Sequence, residues 1–234
     1  MKLSLIIPAY NEEERLQPFL ASIESYLVKH PEEVLEILLV DDGSTDGTLR
    51  MAEKFRNRFG QLRVLRHEHN RGKGAAVQTG VMAAHGDAVV FMDADGATGV
   101  SELPKMIQAL GKAEVAVGNR WMKGSETERH SHLRRLSGWV YRRYMGLFGL
   151  GSVDTMCGFK GYHRAVARDL FKELLDERWL FDAEIIYRAV RRGHRIENFP
   201  IRWASRDGSK LSAGTLLASA FRIGPLIHKV RRRE

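Results

Sequence analysis

Residues Val34 to Asp46 read VLEILLVDDGSTD: an apolar run that stops on two carboxylates and a polar turn. A short run of this kind bounded by turn residues is a buried strand, and the turn leads into a helix over 46–58. The same pattern recurs along the chain. LSLIIPAY (3–10) is a strand ended by Pro8. Asn11 is the expected cap of the next helix, with Glu12, Glu13 and Glu14 near its positive end. Leu16, Phe19, Leu20, Ile23 and Leu27 then repeat at helical spacing. LRVLRHE (62–68) is a third strand, and NRGKGAAVQTGVMAAHG (70–86) is a Gly-rich turn with a small-residue helix. DAVVFMDAD (87–95) is a fourth strand, and AEVAVGNR (113–120) is a fifth after a helix near 101–111.

Strand, loop and helix alternating in this way predict an α/β fold, a doubly wound and mostly parallel sheet. Ligands in such sheets lie beyond the carboxyl ends of the strands. Pro8–Glu12, Asp41–Asp46, Asn70–Gly74, Asp93–Ala97 and Gly118–Arg120 all fall at such ends, so five polar clusters are expected on one rim. The later chain changes character. HLRRLSGWVYRRYMGLFGLG (132–151) is helical, basic and aromatic. DTMCGFKGYHRAVARDLF (154–171) is a turn or short strand entering a helix, RWLFDAEIIYRAVRRGH (178–194) is a helix, and RIENFPIRW (195–203) is a strand. SRDGSK (205–210) is a loop, and TLLASAFRIGPLIHKVRRRE (215–234) is amphipathic with a basic tail.

Composition bounds the function classes. The 234 residues are 44% hydrophobic and 28% charged, enough for one substantial core. The single cysteine, Cys157, excludes an intrachain disulfide and suits a reducing compartment. The N-terminal apolar run is too short for a signal peptide, and no uninterrupted apolar stretch reaches membrane-spanning length. A cytoplasmic protein is expected. The net charge of +8 suits anionic partners, but no recognised nucleic-acid motif accompanies it, and no nucleic-acid partner is expected.

Chemistry concentrates in VFMDADGAT (90–98). Asp93 and Asp95 are spaced to face one side of a strand end. Such a carboxylate pair suits Mg²⁺ or Mn²⁺ shared with substrate phosphates, although a solvated turn capped by Asp95 has the same sequence. Lys73 among glycines at a helix start is a phosphate-binding arrangement or a plain turn. Asp42 accepts hydrogen bonds from a base or ribose, or forms an Asx turn before Gly43.

IIPAYNEEERL, LLVDDGSTDGT, NRGKGAAVQTG, MDADGAT and VGNR, in this order, resemble the family 2 glycosyltransferases of GT-A fold. DTMCGFKGYHRAVARDLF, RWLFDAEIIY and GSKL are most similar to the dolichyl-phosphate β-glucosyltransferases, with dolichyl-phosphate mannose synthases next. Ala97 stands where some mannose synthases carry a glutamine as a further metal ligand. The resemblance covers nearly residues 2–211, implying a GT-A domain over 1–211 and an amphipathic basic segment over 212–234. It implies inverting transfer of a hexose to a polyprenyl-phosphate acceptor, with UDP-glucose the favoured nucleotide-sugar donor. GDP-mannose or UDP-GlcNAc as donor, a glycan hydroxyl as acceptor, and a silent nucleotide-sugar-binding module are the alternatives.

The resemblance further implies that Pro8, Tyr10, Asn11, Glu12, Val40 and Asp42 surround the nucleoside, beside the phosphate-binding arrangement read at Lys73. Asp93, Ala94 and Asp95 would meet ribose, diphosphate and metal. Arg120 would lie between donor phosphates and acceptor, and Arg206, Ser209 and Lys210 would close over the phosphates. Arg135 and Ser209 join Arg120 in holding the acceptor; Arg134, Arg142 and Arg143 are equally available, or form an exposed helix face. Asp95, Arg120 and Asp182 are the catalytic candidates. Asp182 matches the segment that supplies a base in relatives with hydroxyl acceptors. A phosphate monoester, with a second pKa near 6, needs no strong base, so Asp182 would then position the acceptor or a cation. Glu184 either joins the site or pairs with Arg188 at i+4.

A polyprenyl phosphate lives in a bilayer, so peripheral association with the cytoplasmic membrane face is expected through GWVYRRYMGLFGLG (138–151) and the tail, by apolar insertion and basic attraction. The other reading of both segments is packing on the domain. The interfacial reading predicts that removing residues 226–234 weakens binding to anionic liposomes and causes no other defect.

Overall fold

The computed structural model describes residues 1–128, 132–205 and 213–234, with backbone alone for 132–136 and 213–220. Nine strands are described: β1 Leu3–Ala9, β2 Val34–Asp41, β3 Leu62–Arg66, β4 Ala88–Met92, β5 Val115–Asn119, β6 Glu126–Glu128, β7 Phe159–His163, β8 Ile196–Pro200 and β9 Arg202–Ala204. The helices are α1 Glu13–Lys29, α2 Thr48–Arg56, α3 Lys73–Ala83, α4 Leu103–Leu110, α5 His132–Met145, α6 Arg164–Phe171, α7 Phe181–Arg191 and α8 Ala213–Arg231.

Seven strands form one sheet in the order β3-β2-β1-β4-β7-β5-β8, and β6 pairs with β9 apart from it. β1 to β4 run parallel, as expected. The fifth expected strand does not neighbour the fourth. β7 lies between β4 and β5, antiparallel to both. The segment read as a turn or short strand is therefore a central strand, and β5 pairs parallel to β8 on its far side.

Alternation along the central strands builds two cores. Leu5, Ile7, Ile37 and Leu39 face one side with Leu16, Phe19, Leu20 and Ile23 of α1 and Leu103 and Met106 of α4. Ile6, Leu38 and Val40 face the other side with Val77 of α3, Phe171 of α6, Ile185 of α7 and Ile227 of α8. Two-residue periodicity places these side chains on opposite faces, which makes three layers with the sheet in the middle.

The tail is part of the second core. Ile223, Ile227 and Val230 of α8 are buried there. The Glu234 carboxylate accepts hydrogen bonds from buried Arg188 (2.7 Å) and from Arg192 (2.6 and 2.8 Å). Removing 226–234 therefore deletes core contacts and unbalances a buried guanidinium, which contradicts the expectation of no other defect. The truncated protein should lose roughly 3 kcal/mol or more of stability, read as a lower urea midpoint. Replacing exposed Arg231, Arg232 and Arg233 by Gln should leave the stability within about 0.5 kcal/mol of the parent and the midpoint nearly unmoved.

Candidate active site

The parallel strands end at a cleft of about 330 Å³. Pro8 lies at the end of β1 and Tyr10 follows it, Asp42 follows β2, Lys73 opens α3, and Asp93, Ala94 and Asp95 follow β4; all line it, with Glu12. Four of the five expected clusters thus meet. The fifth, at Arg120, sits outside this cleft; burial works against its charge, but Asp154 and, more weakly, Cys157 and Asp93 raise its pKa above the ordinary arginine value.

Several residues act differently from expectation. Asn11 does not cap α1, whose first flanking residue is Glu12. Its backbone is left-handed at φ 51°, and its Oδ1 accepts from the Thr45 amide at 2.9 Å, tying the β1 and β2 turns together. Asn and Asp tolerate this backbone region best among residues with a Cβ. Val40 is fully buried in the second core, so its side chain is a strut beneath the cleft rather than a wall. The Asp42 carboxylate accepts from the Arg71 amide (3.0 Å), the Gly72 amide (2.8 Å) and the His67 ring (2.7 Å), and His67 in turn reaches Thr79 at 2.9 Å. Asp42 organises the NRGKG loop.

That loop is not an open helix N-terminus. The Gly74 and Ala75 amides donate to the Arg178 and Glu177 carbonyls, at 3.1 and 3.0 Å. A Cβ on Gly74 would lie 2.7 Å from Phe181 Cβ and 2.8 Å from the Asp176 carbonyl oxygen, which explains the glycine. These donors are consumed by protein, so the loop offers a phosphate chiefly the Lys73 ammonium. Lys73 Nζ lies 2.5 Å from Asp93 Oδ1 and about 6 Å above the rings of Phe91, Trp179 and Phe181. Burial works against its charge, but Asp93, then Asp182 and Asp95, raise its pKa above the ordinary lysine value.

Asp95 Oδ1 accepts from the Ala97 amide at 2.9 Å, so the turn reading of this residue is true as well. Burial, and then the charge of Asp93, raise the Asp95 pKa above the usual carboxylate range. Asp95, disfavoured from ionising beside the Asp93 charge, forms with Asp93 a donor set for a hard divalent cation, completed by phosphate and water. No cluster of three metal-ligating side chains occurs among the described residues. Gly158 is a neighbour that sequence reasoning missed. Its carbonyl accepts from the Asp93 amide at 3.2 Å, and a Cβ there would fall within 2.4 Å of the Asp93 carboxylate.

Arg120 is clamped by Asp154: Nε to Oδ2 at 2.8 Å, a terminal nitrogen to Oδ1 at 2.9 Å, and the backbone amide to Oδ2 at 3.2 Å. Its guanidinium also stacks 5.2 Å from the Trp203 ring centre. Burial resists the Asp154 charge, but Arg120 outweighs it and lowers the Asp154 pKa. Asp182, at the start of α7, has Oδ2 3.0 Å from Nζ of Lys160 on β7, and both are buried. Burial raises its pKa, with Lys160 and Lys73 opposing. Cys157 is buried, and burial pushes its thiol up to about 12, which leaves packing as its role.

Glu184 belongs to the frame, not the cleft. It is fully buried, accepts from the Leu175 and Asp176 amides at 2.9–3.1 Å and pairs with Arg188 at 2.9 Å. Arg206, Ser209 and Lys210 lie outside the described residues, as do the side chains of Arg134 and Arg135. Arg142 donates to the Gly151 carbonyl at 2.9 Å. Unforeseen cleft walls are Arg15, Arg178 and Trp179. Arg178 and Trp179 precede α7, which begins at Phe181 and not at 178 as expected, so they wall the cleft as loop residues.

Comparison with known proteins now places this geometry. Residues 4–171 match the model described as glycosyl transferase family 2. A dolichyl-phosphate β-glucosyltransferase of Saccharomyces cerevisiae is 36% identical, covering 90% of this chain and 69% of its own length. The Homo sapiens protein of that name is 32% identical over 90% of this chain and 69% of its own. Among solved structures, glucosyl-3-phosphoglycerate synthase of Mycobacterium tuberculosis, in complex with Mn²⁺, uridine diphosphate and glucosyl-3-phosphoglycerate, superposes with TM-score 0.73. It is 20% identical and covers 98% of this chain and 79% of its own. Strand order, the rim cleft and the Asp93–Asp95 pair are thus set in a chain that belongs to glycosyl transferase family 2, and the protein is a glycosyltransferase of GT-A fold.

Proposed function

We propose that the protein transfers glucose from UDP-glucose to a polyprenyl phosphate of the dolichyl type, with inversion at the anomeric carbon. The observation that carries this is the pairing of a two-carboxylate rim site with a half-buried arginine clamped by the buried carboxylate of Asp154. The nucleoside lies against Pro8, Tyr10 and Glu12 over the Asp42-braced loop, and Lys73 meets the diphosphate. Asp93 and Asp95 would hold a divalent cation, which would supply charge stabilisation to the departing diphosphate. An acceptor phosphate oxygen attacks the anomeric carbon as the bond to the nucleoside diphosphate breaks. The acceptor arrives already ionised, so no residue has to remove its proton. Arg120, fixed by Asp154, screens the repulsion between the two anions.

The acceptor implies a membrane surface. No helix of the described residues is long and apolar enough to cross one. Trp139, Val140, Leu147 and Phe221 are exposed large apolar residues on α5, the turn after it and α8. Arg143, Lys229 and Arg231 to Arg233 add exposed or half-exposed basic charge on these elements. That composition suits an interfacial face on the cytoplasmic side.

A donor-by-acceptor activity matrix tests the reading: UDP-glucose, UDP-GlcNAc and GDP-mannose against short-chain polyprenyl phosphate and neutral glycans, with and without Mn²⁺. Glucosyl transfer to the lipid phosphate, lost on chelation, is expected. Transfer only to glycan hydroxyls, or only from GDP-mannose, would overturn it.

A further inference from the structure

A second, smaller cavity of about 60 Å³ opens off the cleft and shares Lys73, Asp93 and Trp179 with it. Its volume admits a few water-sized groups, such as a hydroxyl or a hydroxymethyl, but not a second nucleotide. Asp182 lines it, with Tyr141, Phe181 and Trp179 as aromatic walls. Asp182 is only 5% exposed, and its two oxygens differ. Oδ2 faces Lys160, whereas Oδ1 is buried and accepts no hydrogen bond among the described residues. The buried Tyr162 hydroxyl also lacks a partner and makes no bond to it.

A buried carboxylate oxygen without a donor is costly and rare in folded proteins, and calls for a ligand that brings one. A phosphate dianion brings acceptors only, and would sit beside the Asp93 and Asp182 charges. The polyprenyl chain brings neither donor nor acceptor. A cation shared with Asp93 and Asp95 does not fit, since no three-carboxylate metal cluster exists among the described residues. A sugar brings hydroxyl donors on one edge and C–H faces for aromatic walls, which is the ordinary composition of a small-molecule subsite.

Resting on the proposed function, we infer that Asp182 Oδ1 accepts a hydrogen bond from a hydroxyl of the donor hexose, and that this side cavity selects the sugar. Asp182 is then a specificity-determining residue and not the acceptor's base. Lys160 is its positioning partner, since it holds Oδ2 at 3.0 Å and leaves Oδ1 without a donor.

The test measures kcat/KM for UDP-glucose and for its four deoxyfluoro analogues, each lacking one hydroxyl donor, with short-chain polyprenyl phosphate and Mn²⁺. Kd for UDP and UDP-glucose is measured calorimetrically alongside. One analogue should be at least about 100-fold worse than UDP-glucose with the parent protein, because a site built to bond a hydroxyl rejects its absence strongly. Asp182→Asn should narrow that ratio about tenfold or more, and should weaken UDP-glucose but not UDP. The double variant Lys160→Met/Asp182→Leu removes both buried charges together, so a folding failure of the single variant does not decide the result. There the ratio should approach one. A flat profile across the four analogues in the parent protein would overturn the inference, as would an unchanged ratio in the variants. If UDP and UDP-glucose do not bind at all, the proposed function falls and this inference with it. If both bind and only the analogue ratios fail, the sugar subsite alone is wrong.

Discussion

Asp95→Asn will lower kcat/KM at least about a hundredfold, ~3 kcal/mol or more of transition-state stabilisation. It will also weaken Mn²⁺-dependent binding of UDP. The variant keeps the shape and the acceptor to the Ala97 amide but removes one of the two charges available to a cation. The structure adds an expectation about stability. Burial, and then Asp93, raise the Asp95 pKa above the ordinary carboxylate range. Ionised Asp95 therefore costs the metal-free fold stability at neutral pH, and the cost is relieved as pH falls through that raised value. Asn carries no charge at any pH, so the metal-free variant should melt at or above the parent's temperature at pH 7 while activity is lost. A variant with unchanged turnover would remove Asp95 from the site. One that melts far below the parent without metal would make Asp95 a structural residue.

Arg120→Ala has the second large effect. Its guanidinium is held by Asp154 and, in the proposed function, screens an incoming phosphate. Losing an electrostatic stabiliser of this kind costs about 2–4 kcal/mol in kcat/KM. It also strands Asp154, which is 4% exposed, and breaking one side of a buried pair costs about 3–5 kcal/mol of stability. The two losses separate by measurement: Arg120→Met/Asp154→Asn should recover much of the melting temperature but none of the activity. Arg120→Lys should rescue little, because an ammonium cannot reproduce the two-point contact with Asp154. Asp182→Asn should cost less than Arg120→Ala with the lipid-phosphate acceptor. Near-normal turnover in Arg120→Ala together with a dead Asp182→Asn would point to a hydroxyl acceptor.

Much of the site was readable in the sequence because its parts are local. Strand β4 ends where its apolar run meets Asp93, and i, i+2 spacing needs no tertiary knowledge to put Asp93 and Asp95 together. Strand-loop-helix alternation likewise implies that Pro8, Asp42, Lys73 and Asp93 share a rim, since parallel strands all end on the same side. The Glu184–Arg188 pair was visible for the same reason, as i+4 neighbours on one helix.

Tertiary structure alone decided the contacts made across long sequence distances. Insertion of β7 between β4 and β5 brings Gly158 under Asp93 and points Lys160 at Asp182, and no local pattern fixes an antiparallel strand's neighbours. A lysine inside the apolar strand FKGYH was the one hint, because a buried ammonium needs an anion from somewhere else in the chain. The NRGKG loop looked like an anion cradle, yet the Glu177 and Arg178 carbonyls take its amides, and a sequence does not show which carbonyl reaches a helix start. The tail reads as an interfacial segment or as packing on the domain, and only the structure shows Ile227, Val230 and Glu234 completing the core around Arg188. Periodicity marks which residues seek burial or charge; only packing decides which partner satisfies them.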